Sequence, residues 1–270
     1  MILDILAHQL VMTATTAVLV YSSAMVWAIF GVGTIWMVYS VLKSALYAQS
    51  KHEGVRWEKG FADWFIVAKA ITSAVGVGLM NVFREQGWYS STTHYIVLFL
   101  LNLNIIEALV RDLELGYMPN ALAAVGLLLT LPYSPSPALL TRLEAETSSG
   151  GLFVFPLPWE WVLLYTSWNA CFTYDDNLAP TTRLILLPPL FLAFAINLEL
   201  WLSARVLLLL LHLIFRAIQI VWFYQPGKST LTPVAGTVSN PKHICARWGQ
   251  LNMIAVIVTA LFTWSYSGSS

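Results

Sequence analysis

The sequence predicts an all-α fold, a polytopic transmembrane helical bundle of about eight spans, or seven, because its composition suits lipid and its apolar runs have the length of spans. Hydrophobic residues make up 58% of the 270 positions and charged residues only 10%, and the mean hydropathy is +0.69. Water-soluble domains are less apolar and carry more charge. Twelve Trp and eleven Tyr supply rings that favour the membrane interface. The lipid bilayer is therefore the expected solvent.

The apolar runs are long enough to cross a bilayer. About 20 apolar residues at a rise of about 1.5 Å each span a hydrocarbon core of about 30 Å. Polar clusters, Pro and Gly divide the chain into eight candidate runs: 24–46, 61–83, 94–113, 119–133, 158–174, 183–198, 200–224 and 249–266. The continuous apolar stretch 183–224 is too long for one crossing, so a tight helical hairpin is predicted there.

Residues 24–270 are predicted to form a single transmembrane helical domain. Segment 1–23 is predicted to be an interfacial helix or an extension of the first span, because it is apolar but carries Asp4, His8 and Gln9 on one side. No cleavable signal peptide is expected, since no basic residue precedes the apolar stretch and no A-x-A site follows it. The connections 134–157 and 225–247 contain SPSP, TSSGG, PGKS and NPK and are interpreted as surface loops.

Basic residues near the span ends predict the orientation. They fall mainly in the odd-numbered loops, which hold Lys43, Lys51, Arg56, Lys59, Arg111, Arg183, Lys228, Lys242 and Arg247, against Arg84, Arg142 and Arg205 in the even-numbered loops. Because loops rich in Lys and Arg stay in the cytoplasm, the odd-numbered loops are predicted to be cytoplasmic.

Charge and motifs exclude several classes of function. The formal net charge is zero, so there is no electrostatic basis for binding nucleic acid. Two cysteines and five scattered histidines show no metal-ligand spacing, and the sequence contains no P-loop, H-E-x-x-H or G-x-S-x-G motif. No metal is predicted, and no cofactor is identified. Membrane lipid, and partner membrane subunits, are the expected contacts.

Ionisable groups inside the apolar runs are the candidate functional residues, because a charge in hydrocarbon costs several kcal/mol unless it is paired or hydrated. Lys69 lies near the middle of the second run. In the third run, Asn104, Glu107 and Arg111 share one helical face, with Asp112 beside it. Glu107 is therefore expected to be the counter-ion of Lys69, and it can also pair with Arg111 along the helix.

Two further runs carry polar side chains at helical spacing. Tyr165 and Asn169 lie one turn apart in the fifth run, and Arg205 and His212 lie on one stripe of the seventh. These positions also have an ordinary structural interpretation. Buried Asn and Tyr often join helices in membrane bundles, and Arg or Lys near the end of a span extends its charge to the headgroups. Both interpretations remain open at this stage.

With these sequence patterns, the chain resembles an uncharacterised, mainly bacterial family of multi-span membrane proteins. The resemblance covers roughly residues 60–205 and is carried by the patterns N-x-x-E-A-x-x-R-D and Y-T-x-W-N, in NLNIIEALVRDLELGYMPN and YTSWNACFTYDDN. It implies a multi-span fold and supplies no reaction. The positions it singles out are Trp64, Lys69, Asn104, Glu107, Arg111, Asp112, Asn120, Tyr165, Trp168, Asn169 and Arg205.

Three classes of function follow from these residues. The leading hypothesis is a bundle whose interior binds or passes a small solute, an ion or a lipid. Its predicted ligand-binding residues are Lys69, Asn104, Glu107, Arg111, Tyr165 and Asn169, supported by Asp112, Trp168, Arg205 and His212. A second is an intramembrane acid–base enzyme acting on a lipid or isoprenoid, with Glu107 or Glu160 as a buried general acid. A third is a non-catalytic subunit of a larger membrane assembly.

Overall fold

Ten α-helices make up most of the computed structural model, which describes residues 2–49, 64–131, 136–148, 153–175, 187–223 and 241–267. Within these ranges there is no strand, which confirms the all-α class. The helices are α1 (Ile2–Tyr21), α2 (Ser23–Gln49), α3 (Trp64–Glu85), α4 (Ser91–Leu115), α5 (Met118–Thr130), α6 (Pro137–Ser148), α7 (Trp159–Asp175), α8 (Leu187–Ala195), α9 (Trp201–Phe223) and α10 (Pro241–Ser267).

Each of the eight predicted runs corresponds to one of these helices, and local chemistry explains where the central ones begin and end. Ser90 caps α4 through a reciprocal capping box with Thr93. Gly116 ends α4 in the left-handed conformation, at φ 77°. Pro119 then lies in the first turn of α5, where its missing N–H costs nothing. The turn between α4 and α5 is therefore specified by neighbouring residues.

The predicted break inside the apolar stretch 183–224 lies between α8 and α9. Helix α8 ends at Ala195, and a 3-10 turn, Leu198–Leu200, leads into α9. The side chain of Asn197 caps this turn by accepting a hydrogen bond of 2.9 Å from the backbone N–H of Glu199. A single polar residue in an apolar stretch thus ends one helix and begins the next.

The first two helices meet at a sharp bend. The axis of Thr13–Leu19 is turned by 109° from that of Ser23–Tyr39, so α1 is not a straight extension of α2 and instead packs on α8 and α9. Hydrogen bonds connect the start of α2 to the end of α3. The Glu85 carboxylate accepts hydrogen bonds from Ser23 Oγ and from Trp27 Nε1, the latter at 2.9 Å, and these bonds hold the pKa of Glu85 below its usual value.

The interpretation of 134–157 as a surface loop is wrong. Residues Pro137–Ser148 form α6, whose Leu143 is fully buried, and the extended segment 153–157 buries Phe153 and Phe155 in the core. Ser203 Oγ donates to the Phe153 carbonyl at 2.6 Å. The Ser, Pro and Gly residues of this connection suggested a surface loop, but its F-V-F stretch has enough apolar surface to be buried in the core. For the connection 225–247, residues 225–240 lie outside the described residues, and 241–247 belong to α10.

No single helix of the described residues combines the length and hydropathy of a membrane span. The bent pair Thr13–Leu19 and Ser23–Tyr39 meets those requirements together, and Met118–Thr130 is a shorter apolar helix.

Close packing brings α5, α7 and α10 together on one side of the bundle, and α2, α3 and α9 on another, with α4 between α3 and α5. Two glycines allow α5 and α10 to approach each other closely. A Cβ at Gly126 would lie 2.0 Å from Val256 Cγ1, and one at Gly249 would lie 3.0 Å from the backbone nitrogen of Asn120. Helices α3, α4, α7 and α9 each bury polar residues in the interior of the bundle.

Candidate functional site

A buried ion pair joins α3 to α4. Lys69 Nζ lies 3.0 Å from Glu107 Oε2, with side chains only 9% and 8% exposed, which confirms the expected pairing. Lys69 Nζ also donates to the backbone oxygen of Asn104 at 2.5 Å and to its Oδ1 at 2.8 Å. Thr72 Oγ1 lies 3.4 Å from Glu107 Oε2. Because Asn104 and Glu107 are one turn apart on α4, both reach the same lysine.

Helices α7 and α9 extend this network. Tyr165 OH donates to Asn104 Oδ1 and accepts from Asn169 Nδ2, each at 3.4 Å. The guanidinium of Arg205 is buried close to the Tyr165 hydroxyl. Five of the six predicted ligand-binding residues therefore converge, and Arg205 joins them. We call this set the central polar network: Lys69, Asn104, Glu107, Tyr165, Asn169 and Arg205.

Aromatic rings surround the hydroxyl at the centre of the network. The ring of Tyr165 stacks on Trp161 at a centroid distance of 5.2 Å and meets Trp201 and Trp168 edge-on at 5.1 and 5.6 Å. All four rings are buried. Such a wall excludes water and lowers the local dielectric constant, which strengthens the electrostatic interactions inside.

Arg111 does not belong to the network and does not pair with Glu107 as the spacing allowed, and its role in ligand binding stays a prediction. Arg111 Nη1 lies 2.9 Å from Glu114 Oε2, and the two side chains are 28% and 41% exposed. Arg111 follows Glu107 by four residues, in the last part of α4. The two residues share a face, but Glu107 pairs with Lys69 of α3 and Arg111 pairs with Glu114 one turn further along α4.

Two of the predicted supporting residues form a separate network between α4, α5 and α7. Asp112 is fully buried, and its Oδ2 accepts a hydrogen bond of 2.8 Å from Asn120 Nδ2. The Trp168 indole donates to the Asn120 backbone oxygen at 3.1 Å. A third supporting residue, Arg205, belongs to the central polar network, and the fourth, His212, lies on α9 about two turns beyond it and is half-buried. Glu160 is exposed in the first turn of α7, so it does not fit the role of a buried acid.

Helix α10 completes this second network with residues that the sequence analysis missed. Asn252 Nδ2 lies 3.5 Å from Asn120 Oδ1, and Ser167 Oγ donates to Asn252 Oδ1 at 2.7 Å. The Trp248 indole donates to Ser167 Oγ at 3.0 Å. An amide in an otherwise apolar run, one turn after a tryptophan, was the available signal for Asn252.

The central polar network offers ion-pair and hydrogen-bond chemistry. Its described charges are the cations Lys69 and Arg205 and the carboxylate of Glu107. In the part of the chain that the structure describes, no three His, Cys, Asp or Glu side chains come together as a metal site. The network can therefore hold a polar or charged group through Asn, Tyr and Arg donors, or move it between adjacent side chains.

Comparison with known proteins adds no assignment. No known protein family, curated protein or solved structure matches this chain. The resemblance to the uncharacterised bacterial family stays a prediction, and the geometry of the two polar networks is the basis for a functional proposal.

Proposed function

We propose that this chain is an integral membrane protein whose helical bundle binds or passes a small solute, an ion or a lipid at the central polar network. The observation that carries the proposal is the buried Lys69–Glu107 pair at 3.0 Å, linked to side chains from two further helices. Burying such a pair gains little stability over well-packed apolar residues. Buried ionisable clusters of this kind more often serve a site than a scaffold.

The outer surface supports a membrane environment. Large apolar side chains point outward from several helices, among them Leu129, which is 79% exposed, Ile35 at 70% and Phe99 at 65%. Exposed apolar area on this scale marks contact with lipid or with another protein. A polar interior within an apolar exterior is the arrangement expected of a bundle that uses lipid as its solvent.

The same exposed faces favour a second candidate, a subunit that packs against partner membrane helices. In that case the two polar networks would only hold the helices together. An acid–base enzyme is less well supported. Glu107 is the carboxylate of the central polar network, and Lys69 already occupies it, so acid catalysis would require the ion pair to open.

Membrane insertion is tested first. After expression in bacterial cells, alkaline carbonate extraction of the membrane fraction should leave the full chain in the pellet. Single cysteines placed in the connections between spans, in a variant without Cys171 and Cys245, should react with a membrane-impermeant maleimide from one side only. Release of the chain by carbonate would contradict the membrane proposal.

Binding is tested on the purified protein. Native mass spectrometry in mild detergent should detect a co-purified lipid or solute on the wild type, and dye-loaded proteoliposomes should report any flux of protons or chloride. Lys69→Met should lose the adduct or the flux, whereas the matched control Arg111→Met, on the exposed pair, should keep it. Equal behaviour of wild type and a folded Lys69→Met variant would refute the site and favour the subunit.

A further inference from the structure

One charged group in the central polar network has donors that nothing in the described chain occupies. Arg205 is 5% exposed, and its Nε and Nη1 are buried without a hydrogen-bond partner. The guanidinium lies close to the Tyr165 hydroxyl, and these two nitrogens make no hydrogen bond to it. A buried guanidinium with unmet donors is costly, so the arrangement favours a bound acceptor.

A second uncommitted donor lies one turn away. Trp201 precedes Arg205 by four residues on α9, so the two share a face of the helix. The indole ring of Trp201 meets the ring of Tyr165 at 5.1 Å, and Arg205 contacts the hydroxyl of the same tyrosine. Trp201 Nε1 is also buried without a partner. Tyr165 is thus bordered by two side chains of α9 with free N–H groups.

The charges of the network show which kind of acceptor fits. Lys69 is linked to Tyr165 through Asn104 Oδ1, and Arg205 is buried beside the same tyrosine. The carboxylate of Glu107 is bound to Lys69. Within the central polar network, two positive charges and one negative charge leave an excess of one positive charge, and the buried carboxylate of Asp112 is bound to Asn120 in the second network. A neutral acceptor such as water would satisfy the hydrogen bonds but leave that charge unbalanced.

We infer that Arg205 and Trp201 bind a small monovalent anion beside Tyr165, which completes the hydrogen bonding and balances the charge. The inference rests on the proposed function and specifies its ligand as anionic. A halide ion and the carboxylate of a small organic acid share this chemistry. Guanidinium groups bind both through charge-assisted N–H hydrogen bonds, and an indole N–H adds one more donor.

Thermal unfolding of the purified full chain in nanodiscs tests the inference. Sodium chloride and sodium acetate are each titrated against sodium gluconate, a bulky anion, at constant ionic strength. At an anion concentration about a hundredfold above Kd, the unfolding midpoint should rise by about 5–10 °C over gluconate. A rise with chloride alone identifies a halide site, and a rise with acetate identifies a carboxylate site.

Variants separate this site from general salt effects. Arg205→Gln should abolish the rise, and Arg247→Gln, which alters an exposed arginine of α10, should preserve it. Trp201→Phe keeps the aromatic contact but removes the N–H, so Kd should increase about tenfold; this variant decides the question if Arg205→Gln does not fold.

The failures of the two proposals are distinguishable. No rise with either anion, or an equal rise in Arg205→Gln, overturns the anion site. If a co-purified adduct or flux is still lost in Lys69→Met, the proposed function stands without an anion. If the wild type shows no anion-dependent rise, no co-purified adduct and no flux, both proposals are wrong.

Discussion

Replacing one member of the Lys69–Glu107 pair should destabilise the protein more than replacing both. At a separation of 3.0 Å, two unit charges attract by about 5.5 kcal/mol at an effective dielectric constant of about 20. Most of that attraction offsets the cost of removing both charges from water. Lys69→Met leaves a buried carboxylate and Glu107→Gln leaves a buried ammonium, so each single variant should lose about 3–5 kcal/mol of unfolding free energy.

The double variant Lys69→Met/Glu107→Gln buries no net charge at either position. It should therefore lose less than either single variant, which requires a coupling energy of about 5–6 kcal/mol in a double-mutant cycle, close to the Coulomb attraction of the pair. Reversible denaturation in mixed detergent micelles, followed by far-UV circular dichroism, measures all four free energies. The same cycle also shows whether Asn104 alone can hold the lysine.

The exposed pair on the same helix is the matched control for this cycle. Arg111 and Glu114 lie at nearly the same distance, 2.9 Å, but solvent screens them, so the cycle through Arg111→Met and Glu114→Gln should give less than about 0.5 kcal/mol. If the buried pair shows no more coupling than this pair, Lys69 and Glu107 are solvated, and the interior around them is not dry.

Three further predictions concern packing, the second network and pH. Gly249→Ala should cost about 1–3 kcal/mol, because its Cβ meets backbone atoms of Asn120, whereas Gly31→Ala, with open space around it, should be neutral or stabilising in the same denaturation assay; equal losses would contradict the close crossing of α5 and α10. Asn120→Ala should cost about 2–3 kcal/mol by leaving buried Asp112 without its amide partner, and an unchanged midpoint would mean that the carboxylate has another partner. The hydrogen bonds from α2 lower the pKa of Glu85. They should therefore stabilise the protein above the unfolded-state pKa of about 4.3, and this stabilisation should be lost as pH falls through the lower folded-state pKa. Glu85→Gln should flatten this part of the profile of stability against pH, and an unchanged profile would refute the role of Glu85.

Much of the candidate site was predictable because a buried charge requires a partner wherever the chain places it. Lys69 and Glu107 both lie inside apolar runs, and each needed an opposite charge. That Arg111 lies outside the central polar network is something that periodicity cannot reveal. Positions four residues apart share a helical face, but only the neighbouring helices determine how far along that face the interior extends.

The missed residues show the same limit. Asn252 and Ser167 lie on different helices, and each looks like an isolated polar residue in its own run. The extended segment 153–157 was assigned to a surface loop from its Ser, Pro and Gly neighbours, although its phenylalanines carry enough apolar area to enter the core. Local composition describes what a segment prefers, and the space between α3, α4 and α9 decides where it packs.

The sequence by itself determined that the chain is helical, where the helices of its apolar runs lie, and that its ionisable interior residues need partners. These properties depend on backbone hydrogen bonding, periodicity and transfer free energy, which act on each segment separately. Only the tertiary structure decided that Glu107 pairs with Lys69 and not with Arg111, and that Arg205 is buried with two N–H groups that lack a hydrogen-bond partner. Such pairing depends on the rotation and offset of one helix against another, and those are set by the packing of all the helices together.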